Sequence, residues 1–359
     1  MKHNTLGIAI RTGGHSYCGS SSINGYNLQL DLSQTYTDFT WDNADHTQVT
    51  LDVSITLSRL QSKLRHKNRF IPTGQCSYVN LGGHIHTGGY GQLIRSFGLL
   101  ADYVEKIRII TANPPEARWV ERNVAEDKKL FRAILGGSPG NFGVVTDVTL
   151  NVLRDEDHPL SHGLRCMFLY KEETPKKLLD VLVEQDDDEN TPGDYDFIIS
   201  LMGQEYNPEF FNKIREASGG RAHIQPFHGL KLDDEQMAMS GLCSHWVIDM
   251  VREYQLPYYK WLYMSNSRSI DLKEKDWSTW AAKRVQALEG IIDDGLYIGG
   301  QFQYCGGHQS QLRIKDRDNL TSLSWRDSNF GCTLDATLAT SCRGKRSDLN
   351  PKAKQVAMP

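Results

Sequence analysis

Apolar and polar residues alternate along several short stretches of the first 153 residues, and a period of two marks a strand with one buried face. Ile8 to Arg11 and Asn27 to Asp31 (NLQLD) read as strands, as do Gln48 to Val53, Val104 to Thr111 and Val144 to Val152. Two stretches change period. Leu57, Leu60 and Leu64 recur at helical spacing between Ile55 and His66, behind Ser54 as a capping hydroxyl. Asp127 to Leu135 sets Leu130, Phe131 and Ile134 on one side of a short helix. After Leu153 the texture changes: RDEDHP is polar, ends in proline, and predicts a domain boundary. Beyond it, strands are expected at Leu164 to Tyr170, Phe197 to Met202 and Gly299 to Tyr304, with helices at Pro175 to Gln185 and Asp271 to Leu288. From Ala336 onward no period is visible, and poor order is expected. The expected fold class is α+β: a first domain over residues 1–153, a second α+β domain with an antiparallel sheet over 154–335, and a tail over 336–359.

Composition narrows the function classes. A chain of 359 residues with 39% apolar residues can bury two ordinary cores. The net charge of −4 gives no electrostatic case for nucleic acid or an anionic membrane as partner. No apolar run approaches the roughly 20 residues of a membrane span. Seven cysteines, at 18, 76, 166, 243, 305, 332 and 342, form no CxxC pair and no zinc spacing, so no metal is expected. Their odd number leaves at least one outside any intramolecular disulfide. The sequon Asn319-Leu320-Thr321 is weak evidence of secretion. MKHNTLGIAI lacks the apolar region of a signal peptide and enters a strand almost at once. The chain is therefore expected to lack its natural start; compartment and oligomeric state stay open.

Three glycine-rich clusters sit in the first domain: Arg11 to His15, Thr73 to Leu93 (TGQCSYVNLGGHIHTGGYGQL) and Leu135 to Thr146 (LGGSPGNFGVVT). Glycine lets a backbone approach a ligand closely, and runs of exposed N–H groups bind anions. Three clusters, each beside a strand or helix, point to one extended ligand with several polar parts, as a dinucleotide is. None is the GxGxxG of a Rossmann turn and none a P-loop, so another fold would hold it.

The residues also carry a resemblance. RTGGHSYCGSSS resembles the R-S/T-G-G-H motif of the FAD-linked oxidases with the vanillyl-alcohol-oxidase fold, the PCMH-type FAD-binding superfamily. CSYVNLGGHIHTGGYGQLIRSFGLLAD and LFRAILGGSPGNFGVVTDVTL resemble the second and third motifs of its berberine-bridge-enzyme-like branch. The likeness runs in order from Gly7 to about Leu153. It continues more weakly to about Asp335, where FQYCGG and SWRDSNFG resemble the end of the family's substrate domain.

The resemblance implies roles. His15 matches the histidine that bonds the 8α carbon of the flavin, with Arg11, Thr12, Gly13, Gly14 and Ser16 around it. Cys76 matches the cysteine that bonds carbon 6. The bland readings are a turn histidine and a buried cysteine. His84 matches a histidine at the flavin's pyrimidine edge, where a donor stabilises charge collecting during reduction, and is the catalytic candidate. Gly82, Gly83, Gly88, Gly89 and Gly91 would leave room for the cofactor, and Tyr90 would pack on it. Gly136, Gly137, Gly140, Asn141, Gly143 and Val145 would complete the site. Asp102 either accepts from loop N–H groups or caps a turn. Cys18, which matches no family cysteine, reads as a packing residue.

The reaction implied is hydride transfer from a hydroxylated small molecule or sugar to covalently held FAD, then to dioxygen. A dehydrogenase with another acceptor, an inactive fragment and a flavin-free binding module are the alternatives. Tyr78, His86 and Tyr304 can each accept a proton chemically, but structural roles suit them as well. The family's N-terminal portion and its C-terminal tyrosine segment have no counterpart, so truncation at both ends is expected. The aromatic residues Trp246, Tyr258, Tyr259, Trp261, Trp277 and Trp280 read as core by default.

Overall fold

The computed structural model describes residues 6–16, 18–167, 173–203, 230–246, 258–265, 269–289, 296–315 and 319–338. The chain opens with a parallel pair, β1 (Ile8–Arg11) and β2 (Leu28–Asp31). Then come β3 (Phe39–Trp41), β4 (Gln48–Asp52), α1 (Leu57–Arg65), β5 (Arg69–Phe70), α2 (Leu81–His86) and α3 (Ile94–Phe97). β6 (Val104–Ala112), β7 (Pro115–Glu121), α4 (Lys128–Ile134), β8 (Val144–Asn151) and β9 (Leu153–Arg154) complete this part. Five of the strands form an antiparallel sheet in the order β3-β4-β8-β6-β7.

Alternation explains β4. Val49 and Leu51 are buried on one face, while Thr50 reaches Thr149 of β8 on the other, with their hydroxyls 2.8 Å apart. In α1 the capping residue is Thr56, whose Oγ1 accepts from the Arg59 N–H at 3.3 Å. Ser54, expected in that role, instead donates to the Leu32 carbonyl. The leucine stripe of α1 is fully buried, worth about 1.5–3 kcal/mol for each side chain. β3 and β7 escape the pattern because they lie at the two sheet edges; in β7 only Val120 is buried.

The second part carries β10 (His162–Met167), α5 (Glu173–Asp187), β11 (Ile198–Gly203), β12 (Leu230–Gln236), β13 (Tyr258–Ser265), β14 (Leu296–Tyr304) and β15 (Phe330–Leu338). β11-β14-β15-β13 form a four-stranded antiparallel sheet. β15 pairs on both sides as far as Leu338, so Ala336 to Leu338 are sheet rather than the start of a patternless tail. Backbone pairing on both sides holds this nine-residue strand in the sheet whatever its side-chain pattern. The remainder of the expected tail lies outside the described residues, as do residues 168–170 of the strand expected to end at Tyr170. The helix expected over Asp271 to Leu288 is two helices, Ser269–Glu274 and Trp277–Glu289, broken where Asp276 takes φ 48°. Trp277 stacks on Phe330 at 5.1 Å beside Leu179, Leu182 and Phe302, a core role, whereas Trp280 is exposed. The side chains of Trp246, Tyr258, Tyr259 and Trp261 lie outside the description.

The helix Met239–Trp246 leans on the first part: Met239, Leu242 and Cys243 pack with Phe70 and Leu93. Asp155, the second residue of RDEDHP, accepts from the Ser240 N–H at 2.8 Å and from its hydroxyl.

Candidate functional site

The first glycine cluster leaves β1 and lies directly on the second. Gly14 sits at φ 73°. A Cβ on Gly13 would stand 3.0 Å from the Asn80 nitrogen and 2.9 Å from the His15 ring. A Cβ on Gly82 would meet Thr12 at 3.2 Å. His15 Nε2 lies 3.1 Å from the Tyr78 carbonyl. A carbonyl only accepts, so Nε2 carries a proton. Tyr78 is two residues from Cys76, a half-buried free thiol in the turn closed by Val79 N–H to Cys76 O at 3.2 Å. The structure thus brings the loops of His15 and Cys76 into contact.

Residues 73 to 91 form a hoop with a closed neck. A Cβ on Gly91 would lie 1.7 Å from the Thr73 carbonyl oxygen, so only glycine permits this backbone contact. Inside, α2 carries His84. The Gly74 N–H donates to His84 Nε2 at 2.9 Å, which leaves the ring proton on Nδ1. Gly74 and Gly89 flank the ring closely, and burial pulls its pKa down to about 4. His84 is therefore a neutral N–H donor at physiological pH. Gly88 and Gly89 turn the chain at φ 93° and 71°. Gly83 faces open space, with nothing within 4 Å of a built Cβ. Tyr90 meets the Trp325 ring edge-on at 6.4 Å.

The third cluster splits. A Cβ on Gly140, at φ 80°, would meet only Ile10 of β1 at 3.4 Å, which brings this loop to the first cluster. The Asn141 amide donates to Ser138 Oγ at 2.6 Å. The protein's own packing accounts for the others: Gly136 is pressed on Leu323, Gly137 on the Ala133 carbonyl and Gly143 on the Ile110 carbonyl, while Val145 is core.

Five further residues are placed as follows. Asp102 accepts from the Leu99 N–H at 2.8 Å and pairs with Arg326, so the turn-cap reading holds and its carboxylate is fully engaged. Cys18 is exposed, which corrects its reading as a packing residue. Hydrogen bonding from Ser16, and then Ser20, lowers its thiol pKa to about 7. Ser16 Oγ lies 3.3 Å from the Cys18 sulfur. Of the proton-acceptor candidates, the Tyr304 hydroxyl donates to the Gln185 carbonyl at 3.1 Å, and burial pushes it up to about 12. His86 Nδ1 donates to the Ile134 carbonyl at 3.0 Å, and burial keeps the ring neutral. Tyr78 is exposed.

A cavity lies between the hoop and the four-stranded sheet, lined by Tyr90, Ile94, Gln301, Gln303, Gly331 and Thr333. Arg95 of α3, fully buried, crosses beside it. Its guanidinium donates to the Tyr195 carbonyl at 2.8 Å, the Gly306 carbonyl at 3.0 Å and the Thr191 carbonyl at 3.3 Å. The guanidinium also lies 5.0 Å from the Tyr304 ring centroid. Asp196 accepts from the Arg95 N–H at 2.9 Å and from the Ser96 hydroxyl. Sequence reading missed Arg95 and Arg326, although both lie in quoted motifs. A lone arginine gives no sign in sequence that it is buried.

Residues 1–114 match the family model described as FAD binding domain. Berberine bridge enzyme-like 19 of Arabidopsis thaliana is 36% identical over 140 residues, 38% of this chain and 24% of that protein. Over its first 114 residues this chain is therefore similar to an FAD-binding domain. FAD-linked oxidoreductase pynB of Aspergillus niger is 32% identical over 144 residues, 40% of this chain and 26% of that protein. The match spans about a quarter of these curated relatives. In fold, the carbohydrate oxidase from Microdochium nivale aligns over 98% of this chain and 74% of that chain with a TM-score of 0.73 at 18% identity. A glucooligosaccharide oxidase of Acremonium strictum, described as revealing a novel flavinylation, aligns over 93% of this chain and 69% of its own with a TM-score of 0.64 at 18% identity. The fold is the one these oxidases share, with an α+β second part.

Proposed function

We propose that the protein is an FAD-dependent oxidoreductase. On this reading it carries flavin covalently on His15 and Cys76 and oxidises a hydroxylated small molecule or sugar, with dioxygen as electron acceptor. The observation that carries this is the His15–Tyr78 contact: it holds the His15 imidazole against the loop that bears the Cys76 thiol. The donor set fits a flavin. An imidazole, a thiol and a neutral histidine N–H lie on neighbouring loops, and Gly83, beside His84, leaves open space where a side chain would stand.

Bound there, FAD supplies the hydride acceptor and the route of electrons to dioxygen. His84 offers its Nδ1–H as a fixed donor to charge that develops beside it, and its neutral state needs no proton exchange to do so. Fold neighbours named as carbohydrate oxidases, one in complex with xylobiose, support the sugar reading.

Absorption of the acid-denatured protein tests the proposal. Flavin colour should stay with the precipitated wild type and with His15→Ala or Cys76→Ala alone, and be lost in the double variant. Colourless protein, or flavin that washes away, sinks the covalent reading. Peroxide release during turnover of an oligosaccharide panel separates oxidase from dehydrogenase.

A further inference from the structure

Gln301 and Gln303 stand two residues apart on β14 and so share one face of the strand. Both reach the neck of the hoop. Gln301 Nε2 donates to Gln75 Oε1 at 3.3 Å, and Gln303 Nε2 donates to the Gly91 carbonyl. Gln75 is joined directly to Cys76. Gly91 is pressed on Thr73, so a shift of one moves the other, and Gly74 beside it holds His84. The first domain fixes the rest of this loop: the Ser58 N–H donates to the Ser77 carbonyl at 3.2 Å and the Leu57 N–H to the Val79 carbonyl at 2.9 Å. Residues 77 to 80 are thus placed from within the first domain, while the bonds from β14 to residues 75 and 91 come from the second.

We infer that Gln301 and Gln303 are positioning residues that set the Cys76 thiol, so that docking of the second domain governs formation of the Cys76–flavin bond. This rests on the flavin reading above. Forming that bond joins Sγ to carbon 6 of the ring and releases the thiol proton and the ring proton. Two electrons are left on the ring, and dioxygen takes them up with two protons as hydrogen peroxide. The His15 bond belongs to a loop that β14 does not touch through these amides, and it should form regardless.

The test uses the full chain with Gln301→Met, Gln303→Met and both together, since methionine keeps the length and removes the hydrogen bond. After reconstitution with FAD for a fixed time, digestion and mass analysis give the flavin-bearing share of the Cys76 and His15 peptides. The double variant should lose about fivefold or more at Cys76, the scale of one hydrogen bond, with His15 unchanged. Equal shares at Cys76 overturn the inference.

A second measurement needs no flavin. N-ethylmaleimide modification, resolved by site, should change at Cys76 by about threefold or more in the double variant, within the range of one hydrogen bond. Exposed Cys18 should stay constant, and buried Cys243 should stay protected as the sign of an intact fold. An unchanged Cys76 rate overturns the inference even if the wild type never bonds flavin there; that last result would sink only the covalent reading.

The conservative variants discriminate further. Gln301→Glu should behave as wild type, because the Gln75 amide can turn and donate to it. Gln303→Glu should behave as Gln303→Met, because the Gly91 carbonyl can only accept. If both glutamates behave as wild type, the amides merely fill space and the inference fails.

Discussion

Asp102 and Arg326, 224 residues apart in sequence, meet in a buried two-pronged ion pair with contacts of 3.0 and 2.5 Å. Their side chains are 4% and 3% exposed. Removing one partner strands the other charge, so Arg326→Met should destabilise the protein by about 3–5 kcal/mol. Asp102→Leu with Arg326→Met together should recover most of the loss. Denaturant unfolding of the three variants checks this, and a double variant no better than the single would refute it.

His84 gives stability a pH slope. Its folded pKa is about 4 against an ordinary value of 6.5, so the unfolded chain binds the extra proton between those values. Stability from this group is complete above about pH 6.5 and falls as pH drops toward 4, by up to roughly 3 kcal/mol. His86, shifted the same way, adds to the slope. His84→Gln, which can still accept from Gly74, should flatten it in unfolding midpoints taken across that range.

Asp196 acts in the opposite sense. Burial raises its carboxyl pKa to about 6, so the folded state holds a proton that the unfolded chain releases from pH 3.8 upward. Its contribution is present below pH 3.8 and is lost as pH rises through about 6. Asp196→Asn should remove that loss, and the variant's stability should then rise more steeply from pH 4 to 6 than the wild type's.

Among the described thiols, Cys18 should react first. It is exposed with a pKa of about 7, while burial pushes the Cys305 thiol up to about 12 and that of Cys243 higher still. Ser16→Ala removes its strongest hydrogen bond and should slow iodoacetamide modification at pH 7 by severalfold, with the Ser20 bonds left to hold part of the effect.

Gly91→Ala should be among the most damaging single-methyl changes here. The new carbon would lie 1.7 Å from the Thr73 carbonyl oxygen, and neither backbone can yield without opening the neck. A loss of about 3 kcal/mol or more, with loss of flavin binding, is expected in thermal melts and flavin titrations. Gly83→Ala, facing open space, should melt normally.

What the sequence disclosed follows from what each signal measures. Alternation and helical spacing found β4, β6, β8 and α1 because each presents a regular apolar face to the core, although β8 buries its threonines as well. Edge strand β7 has only one buried residue, and its sequence shows no period. The glycine clusters announced a tight site, yet Gly136, Gly137 and Gly143 prove to answer to neighbouring backbone and side chains. The motif likeness brought out His15, Cys76 and His84, whereas Arg95, Arg326 and Gln303 matter through partners roughly 100 to 220 residues away. Such pairings have no local periodicity for a sequence reading to detect.

Arg95 bears on how this chain could be recombined. Its guanidinium binds carbonyls at Thr191, Tyr195 and Gly306, all beyond the RDEDHP junction. A chimera cut at that junction, the natural place for a crossover, would pair an arginine shaped for one set of loops with loops shaped for another. Residues 73–102, 191–196 and 301–331 would then have to be inherited together, which makes the functional module of this protein a discontinuous one.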